Sequence, residues 1–302
     1  MNTEVNAEKM IAIHTPAKVN LMLAVQGPRH DGFHTLTSLV APLAFGDDLD
    51  IGCNSLARDQ FSCDDAKVPS DDRNLILQAA GAFREHTGKK VYFDFKLQKQ
   101  IPMGAGLGGG SSNAAGALLG MNSLTGKPLG RTELSHLAAD LGSDCPFFIE
   151  PRISLMRGRG EILEAASQDL ANFLRTHAII LFKPHFEINT GSAYAVLSSA
   201  APEYYHSEAF AEACLKSGSQ EKGLDRLIFN SFEEAIGRKY RAIPSLLEQL
   251  REKGFSCGLS GSGSCCFALI ESNGFGLKSK DLKSIIQSAW GESVFFVETN
   301  LI

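Results

Sequence analysis

Seven glycines fall among the twenty residues IPMGAGLGGGSSNAAGALLG, 101 to 120, and two serines and an asparagine follow the densest run. Glycine costs about 0.5–1 kcal/mol per residue relative to alanine where a segment has only to be ordered, so the run implies that something must come close to this backbone. N–H groups bared by Gly104, Gly106, Gly108, Gly109 and Gly110, with the N-terminus of a helix starting from Ser111, make an anion cradle. Ser111 and Ser112 add hydroxyls for a phosphate or for Mg2+, and Asn113, Ala114 and Ala115 keep the first turn small. A Walker A loop would need a lysine after the glycines, and none follows. Gly104, Gly106 and Gly109 fit the spacing G-x-G-x-x-G, but a dinucleotide fold needs a strand directly after the helix and an acid at its end. Here TGKPLGR and a second helical pattern follow instead. The structural use of such a stretch is a turn that lets a helix pack closely on a sheet.

The elements that must hold this loop can be read from hydrophobic periodicity. Val19, Leu21, Leu23 and Val25 alternate with Asn20, Met22 and Ala24 as in a strand, and GPRHDG (27–32) reads as a turn. FHTLTSLVAPLAF and DDLDIG read as further strands, with Pro42 at an edge or bulge. Asp71 and Asp72 cap a helix carrying Leu75, Ile76, Ala79, Ala80 and Phe83, closed by Gly88. Val91, Phe93, Phe95 and Leu97 mark an inward-facing strand, and 131–142 is a helix ending at Gly142. In the second half AIILF (178–182) is a buried strand. Helices are predicted around 190–198, 207–216, 224–237, 244–253 and 279–290, with strands after GLSGSGS and at 293–298. SLARDQ and SGSQEKG read as surface loops. Strands come first and no regular β-α-β-α alternation follows, so the pattern predicts an α+β fold rather than a doubly wound sheet.

Composition bounds the partners. A chain of 302 residues with 44% hydrophobic content has room for one large or two medium domains. Its net charge of −5 and lack of a basic block speak against nucleic acid. No apolar run reaches the roughly 18 residues of a membrane span, and MNTEVNAEKM has no signal-like apolar core. The seven cysteines are odd in number and include no C-x-x-C, so reduced thiols in a cytoplasm are expected. The eight histidines do not join them at zinc-ligand spacing.

The segment P-M-G-A-G-L-G-G-G-S-S-N-A-A resembles the central motif of the GHMP kinases, a superfamily of small-molecule ATP-dependent kinases. PAKVNLMLAVQGPRHDGFHTL (16–36) and LGSDCPFFI (141–149) resemble motifs of one branch of that superfamily and LSGSGSCCFAL (259–269) the superfamily's third motif, all in the right order, and the likeness runs over nearly the whole chain. The DGFHTL element separates one branch from homoserine, mevalonate and galactose kinases. For that branch the resemblance implies phosphoryl transfer from ATP to the tertiary 2-hydroxyl of 4-diphosphocytidyl-2-C-methyl-D-erythritol. This is a step of the non-mevalonate route to isoprenoid precursors, mostly bacterial and plastidial. It implies a two-domain α+β fold: a ribosomal-protein-like ATP domain over 1–165 and a ferredoxin-like domain over 166–302. It also implies a bacterial cytoplasmic enzyme using ATP and Mg2+, monomeric or homodimeric, with neither nucleic acid nor membrane as partner. Two alternatives are a kinase of the same fold acting on another alcohol, and a nucleotide-binding module that has lost catalysis.

The same resemblance implies the site. Asp144 is the general base and Lys18 its partner, placed to stabilise a developing alkoxide. Pro102, Met103, Gly104, Ala105, Gly106, Leu107, Gly108, Gly109, Gly110, Ser111 and Ser112 surround ATP, with Asn74 and Lys99 near it and Ser112 the candidate Mg2+ contact. Asn20, Phe33, His34, Thr190, Tyr194, Gly261 and Gly263 belong to the substrate, His34 on the cytosine edge and Phe33 and Tyr194 on its faces. Three positions depart from the family pattern: Phe33 stands for a tyrosine, Tyr194 for a frequent phenylalanine, and NSFE (Asn230 to Glu233) lacks a frequent aspartate at Ser231. Asn113 for aspartate occurs within the family.

Overall fold

The computed structural model describes residues 10–199, 202–218, 224–272 and 275–302. The chain folds as two compact units, each assembled from separate stretches. The first comprises the described residues up to 17, with 45–103 and 108–151. The second comprises 18–44, 104–107 and the described residues from 152 on. Two long strands, β1 (Met10–Pro28) and β2 (His34–Asn54), give their outer ends to the first unit and their hairpin ends to the second.

The first unit adds β3 (Gln60–Cys63), α1 (Leu75–Thr87), β4 (Tyr92–Gln98), α2 (Gly109–Leu124), α3 (Arg131–Leu141) and a 3-10 turn, Cys145–Ile149. Its sheet order is β3-β4-β2-β1, with β4 antiparallel to β2 from Asp48↔Gln98 to Asn54↔Tyr92. Phe93, Phe95 and Leu97 point into the core as their alternation predicts, whereas Val91 falls just outside the strand and is half-buried. The small residues of α2 let it lie tight on the sheet. A Cβ at Gly116 would collide with the Thr15 methyl and one at Gly120 with the Ile51 δ-methyl. The cap of α1 is not Asp71 or Asp72. Asn74 takes the Ile76 N–H at 2.9 Å, while Asp71 pairs with Arg73. At the other end Gly88 closes the helix in the left-handed region, φ 65°.

The second unit contains β5 (Ser154–Arg157), β6 (Ile162–Ala165), α4 (Gln168–Arg175), β7 (His177–Lys183), α5 (Thr190–Ser199), α6 (Glu208–Gly218) and α7 (Leu224–Leu227). Then follow β8 (Phe229–Asn230), α8 (Ser231–Gly237), α9 (Ala242–Glu252), β9 (Ser256–Leu259), β10 (Cys266–Glu271), α10 (Phe275–Trp290) and β11 (Phe295–Asn300). One sheet runs β6-β5-β2-β1-β8. The other, β11-β7-β10-β9, is antiparallel and follows the β-α-β-β-α-β path of a ferredoxin-like domain. All seven residues of β7 are buried, as suits a central strand.

Four expectations are corrected. Residues 34–54 form one strand, not two, and Pro42 lies inside it, where its carbonyl takes the Ile302 N–H at 3.0 Å. Strand β1 is buried on both faces over 18–25, as a strand inside the sheet with both faces covered must be, so Asn20, Met22 and Ala24 are as enclosed as Val19 and Leu21. The helix predicted over 224–237 is broken at Phe229–Asn230, which pair in parallel with Met22 and Leu23. The last helix begins at Phe275 rather than 279. The tail of SGSQEKG and the start of MNTEVNAEKM lie outside the described residues.

Candidate functional site

The glycine loop obtains its shape from three left-handed residues, Gly104, Gly106 and Gly108, at φ 59°, 76° and 71°. At Gly106 a side chain is barred twice, by this φ and by the Ser260 carbonyl, into which a Cβ would run. In the second unit the 260–265 loop clamps residues 104–107. Ser260 Oγ donates to the Gly106 carbonyl at 3.0 Å and the Cys265 N–H to that of Ala105 at 3.1 Å. The Lys18 N–H completes the clamp on the Leu107 carbonyl at 3.0 Å. Gly261 and Gly263 are themselves left-handed, φ 56° and 87°, and Gly261 lies against Gly106. Helix α2 starts at Gly109, two residues earlier than expected, so the N–H groups of Gly109 and Gly110 belong to its first turn. Gly108, its cap, has no side chain to offer and no acid stands in the first turn. The dipole end of α2 is therefore uncapped by side chains, the condition for holding an anion. Ser112 Oγ is buried there without a hydrogen-bond partner, an orphan that a ligand oxygen or a cation would satisfy. Beside it, Ser111 hydrogen-bonds the Cys145 thiol, which burial pushes up to about 11, so that Cys145 stays a thiol.

One carboxylate organises the approach to the loop in the first unit. Asp47 has no exposure, and it accepts the N–H groups of Gln100 and Ile101 at 2.7 Å each, Lys99 Nζ at 2.7 Å and Asn113 Nδ2 at 3.0 Å. Asn113 also donates to Thr15 Oγ1 at 2.8 Å. A buried charge needs this many partners. Lys99, expected near ATP, lies in this ion pair, and Asn74 is the α1 cap and donates to the Pro69 carbonyl at 2.7 Å. Sequence reasoning missed Asp47, since DDLDIG reads as a strand with a solvated edge.

Lys18 is 5% exposed and lies in the second unit, where its Nζ donates to Asn20 Oδ1 at 2.5 Å. Asp144 lies in the first unit, half-buried, at the start of the 3-10 turn whose Cys145, Phe147, Phe148 and Ile149 are buried. It makes no capping bond to that turn.

The second unit also holds an aromatic group. Phe33 is 46% exposed, on a turn tied by Asp31, which accepts the Phe33 N–H at 3.1 Å and pairs with Arg29. The Arg159 guanidinium lies 4.9 Å from the Phe33 ring centre and covers part of it. His34 packs on Tyr194, with ring centres 4.8 Å apart, and its Nε2 faces Ser198 Oγ at 3.1 Å and Tyr205 OH at 3.3 Å. Tyr194 abuts Phe232 edge-on at 4.8 Å, and Thr190 Oγ1 meets Ser262 Oγ at 3.0 Å. Burial lowers the His34 pKa. Arg159, Ser198 and Tyr205 carry no signal in the sequence. The NSFE departure is accommodated locally. Ser231 Oγ accepts the Val25 N–H at 2.9 Å, and Asn230 caps α8 while donating to the carbonyls of Leu259 and Gly261.

Among the described residues no three His, Cys, Asp or Glu side chains gather as a metal site, and no helix is long and apolar enough to cross a membrane. Residues 74–150 match the family of GHMP kinases N terminal domains and 210–295 that of GHMP kinases C terminal domains. The 4-diphosphocytidyl-2-C-methyl-D-erythritol kinase of Methylacidiphilum infernorum is 38% identical over 84% of this chain and 84% of its own. That of Chlorobium phaeobacteroides is 38% identical over 86% and 89%. A crystal structure of 4-(cytidine 5'-diphospho)-2C-methyl-D-erythritol kinase superposes with a TM-score of 0.75 at 30% identity, over 96% of this chain and 99% of that one. Homoserine kinase from Cytophaga hutchinsonii superposes at 0.74 with 17% identity, over 97% and 95%, a likeness of fold.

Proposed function

The chain belongs to the GHMP kinases, in the family of 4-diphosphocytidyl-2-C-methyl-D-erythritol kinases, and from that premise we propose that it phosphorylates the tertiary 2-hydroxyl of 4-diphosphocytidyl-2-C-methyl-D-erythritol at the expense of ATP. The observation that carries the reading is the left-handed glycine loop opening onto an uncapped helix with the orphaned Ser112 hydroxyl. Phosphoryl transfer needs positioning, charge neutralisation and help with the hydroxyl proton. The first-turn N–H groups of α2 hold the phosphates, and Ser112 offers the buried oxygen that suits Mg2+. Bound Mg2+ supplies charge neutralisation. Asp144 accepts the hydroxyl proton and Lys18 stabilises the oxygen as it attacks. Phe33, His34 and Tyr194 hold the cytosine, as suits the aromatic group of the second unit.

The test is incubation with ATP, Mg2+ and the cytidyl substrate, with the product read by phosphorus NMR. A new phosphomonoester on the tertiary carbon is the expected result. Transfer only to another alcohol, or ATP binding without transfer, would replace the reading by one of the two alternatives. Two substitutions probe its halves. Gly108 is left-handed, and a Cβ at Gly109 would stand 3.1 Å from Ile101 Cγ2 and Lys99 Nζ, so neither is a clean site for a side chain. Gly110 has only Leu75 Cδ1, at 3.6 Å, near its Cβ position. Gly110→Ala should therefore stabilise the fold by about 0.5–1 kcal/mol, read as a higher melting temperature. At the same time it should weaken ATP binding in calorimetry, because the added methyl stands in the first turn. An unchanged ATP affinity would move the phosphates elsewhere. Phe33→Ala should lower kcat/KM for the cytidyl substrate by about 1–3 kcal/mol, the range for a base stacked on an aromatic ring. Phe33→Tyr should be near neutral, and a normal KM in Phe33→Ala would remove the stacking role.

A further inference from the structure

Resting on the cytidyl reading, we propose that Tyr205 and Ser198 are positioning residues that hold His34 in the tautomer protonated at Nδ1, and that this tautomer selects cytosine over uracil. The Tyr205 phenol donates to Ser198 Oγ at 3.4 Å. Ser198 Oγ lies 3.1 Å from His34 Nε2, nearer than the phenol oxygen at 3.3 Å, and its own proton has no other acceptor among the described residues. A relay Tyr205 O–H to Ser198 O–H to Nε2 gives each hydroxyl proton an acceptor. Protonating Nε2 instead would make Ser198 Oγ accept from both neighbours and turn its own proton out to solvent, away from the relay. Neutral imidazole carries one proton, so it then resides on Nδ1. Nδ1 meets no protein partner among the described residues, so its N–H is the group offered outward. The ring is held in place by Tyr194, 4.8 Å away, and by Tyr205, 5.9 Å away. Burial, which favours the uncharged ring, keeps the imidazole neutral near pH 7.

An N–H donor reads a pyrimidine in a definite way. N3 of cytosine is an acceptor, whereas N3 of uracil carries a hydrogen and would face the imidazole N–H proton to proton. A polar site built for one partner rejects the analogue whose matching group is absent, because its own group is left unpaired. His34 itself touches the base. Tyr205 and Ser198 act through it, and neither would change what the ring can stack on.

The experiment labels the histidine rings with nitrogen-15 in the full chain and follows His34 in the wild type, Tyr205→Phe and Ser198→Ala, without substrate. The expected wild-type spectrum has a protonated Nδ1 and a bare Nε2. Ser198→Ala, at an exposed helix position, should shift His34 toward the Nε2-protonated form, and Tyr205→Phe should do so in part. In parallel, the ratio of kcat/KM for the cytidyl substrate to that for its uridyl analogue should fall by about tenfold in Ser198→Ala, one hydrogen bond's worth. A wild-type His34 protonated at Nε2, or a tautomer unmoved by both substitutions, overturns the proposal whatever the activity. A wild-type enzyme that phosphorylates no cytidyl substrate while showing the expected tautomer fails the functional reading and removes the selectivity claim with it, leaving the relay standing.

Discussion

Asp144→Asn should lower kcat by roughly 10²–10⁴-fold, the usual cost of removing a general base. Asparagine keeps the shape of the side chain and cannot take a proton, so the change isolates proton transfer from packing. The backbone around it is not at risk. Asp144 makes no capping bond to the 3-10 turn that it starts, and that turn is anchored by Phe147, Phe148 and Ile149, all buried. The melting temperature should therefore stay close to that of the parent, and affinities for ATP and for the cytidyl substrate should hold to within a few-fold. Single-turnover kinetics separates the chemical step from binding and release. A variant with full kcat would leave a kinase that relies on positioning alone, since a loose phosphoryl-transfer transition state asks little of a base. A variant that loses affinity for the cytidyl substrate as much as it loses rate would make Asp144 a binding group.

What could be read in the sequence was what is local. The glycine run, the helix after it, the serines at its start and the capping glycine of α1 are each decided within a few residues, by φ or by helix-end chemistry. The four-motif likeness carried the family because each motif is contiguous. What could not be read depends on residues far apart. Asp47 collects donors from Lys99, Gln100, Ile101 and Asn113, fifty or more positions away, and nothing in DDLDIG distinguishes it from Asp48 beside it. The two-residue strand Phe229–Asn230 exists because Met22 and Leu23 offer it a free edge, a tertiary contact that overrides the helical pattern of 224–237. The relay onto His34 is set by Ser198 and Tyr205, a hydroxyl on a helix and a phenol beyond it, neither in a motif. Asn74 illustrates a shared role. It stands where the family likeness puts an ATP neighbour, and its side chain is committed to the α1 cap and the Pro69 carbonyl.

Lys18→Met should cost about 10²–10³ in kcat, as losing one preorganised donor to developing charge typically does. Methionine preserves most of the volume of a side chain that is 5% exposed, so the loss reports charge rather than a cavity. The hydrogen bonds around Lys18 say how it is aimed. Ser38 Oγ gives its proton to the Met22 carbonyl at 2.6 Å, so toward Asn20 it can only accept. Asn20 must then turn its Nδ2 to Ser38, at 2.8 Å, and its Oδ1 to Lys18 Nζ, at 2.5 Å. Asn20→Leu removes that aim and leaves the ammonium without this acceptor, so kcat should fall, by less than in Lys18→Met. If Asn20 works by holding Lys18, the double variant should be no more than a few-fold worse than Lys18→Met alone, because the second change removes a support for a group already gone. Ser38→Ala should give a milder version of the Asn20→Leu loss, since the amide is then free to turn over. Multiplying losses in the double variant would mean that Asn20 touches the cytidyl substrate in its own right, the role expected of it from the family motif. Lys18→Arg should not restore the rate, because a planar fork does not place one proton where the ammonium does. Wild-type kcat in Lys18→Met would overturn the assignment of Lys18 to the attacking oxygen.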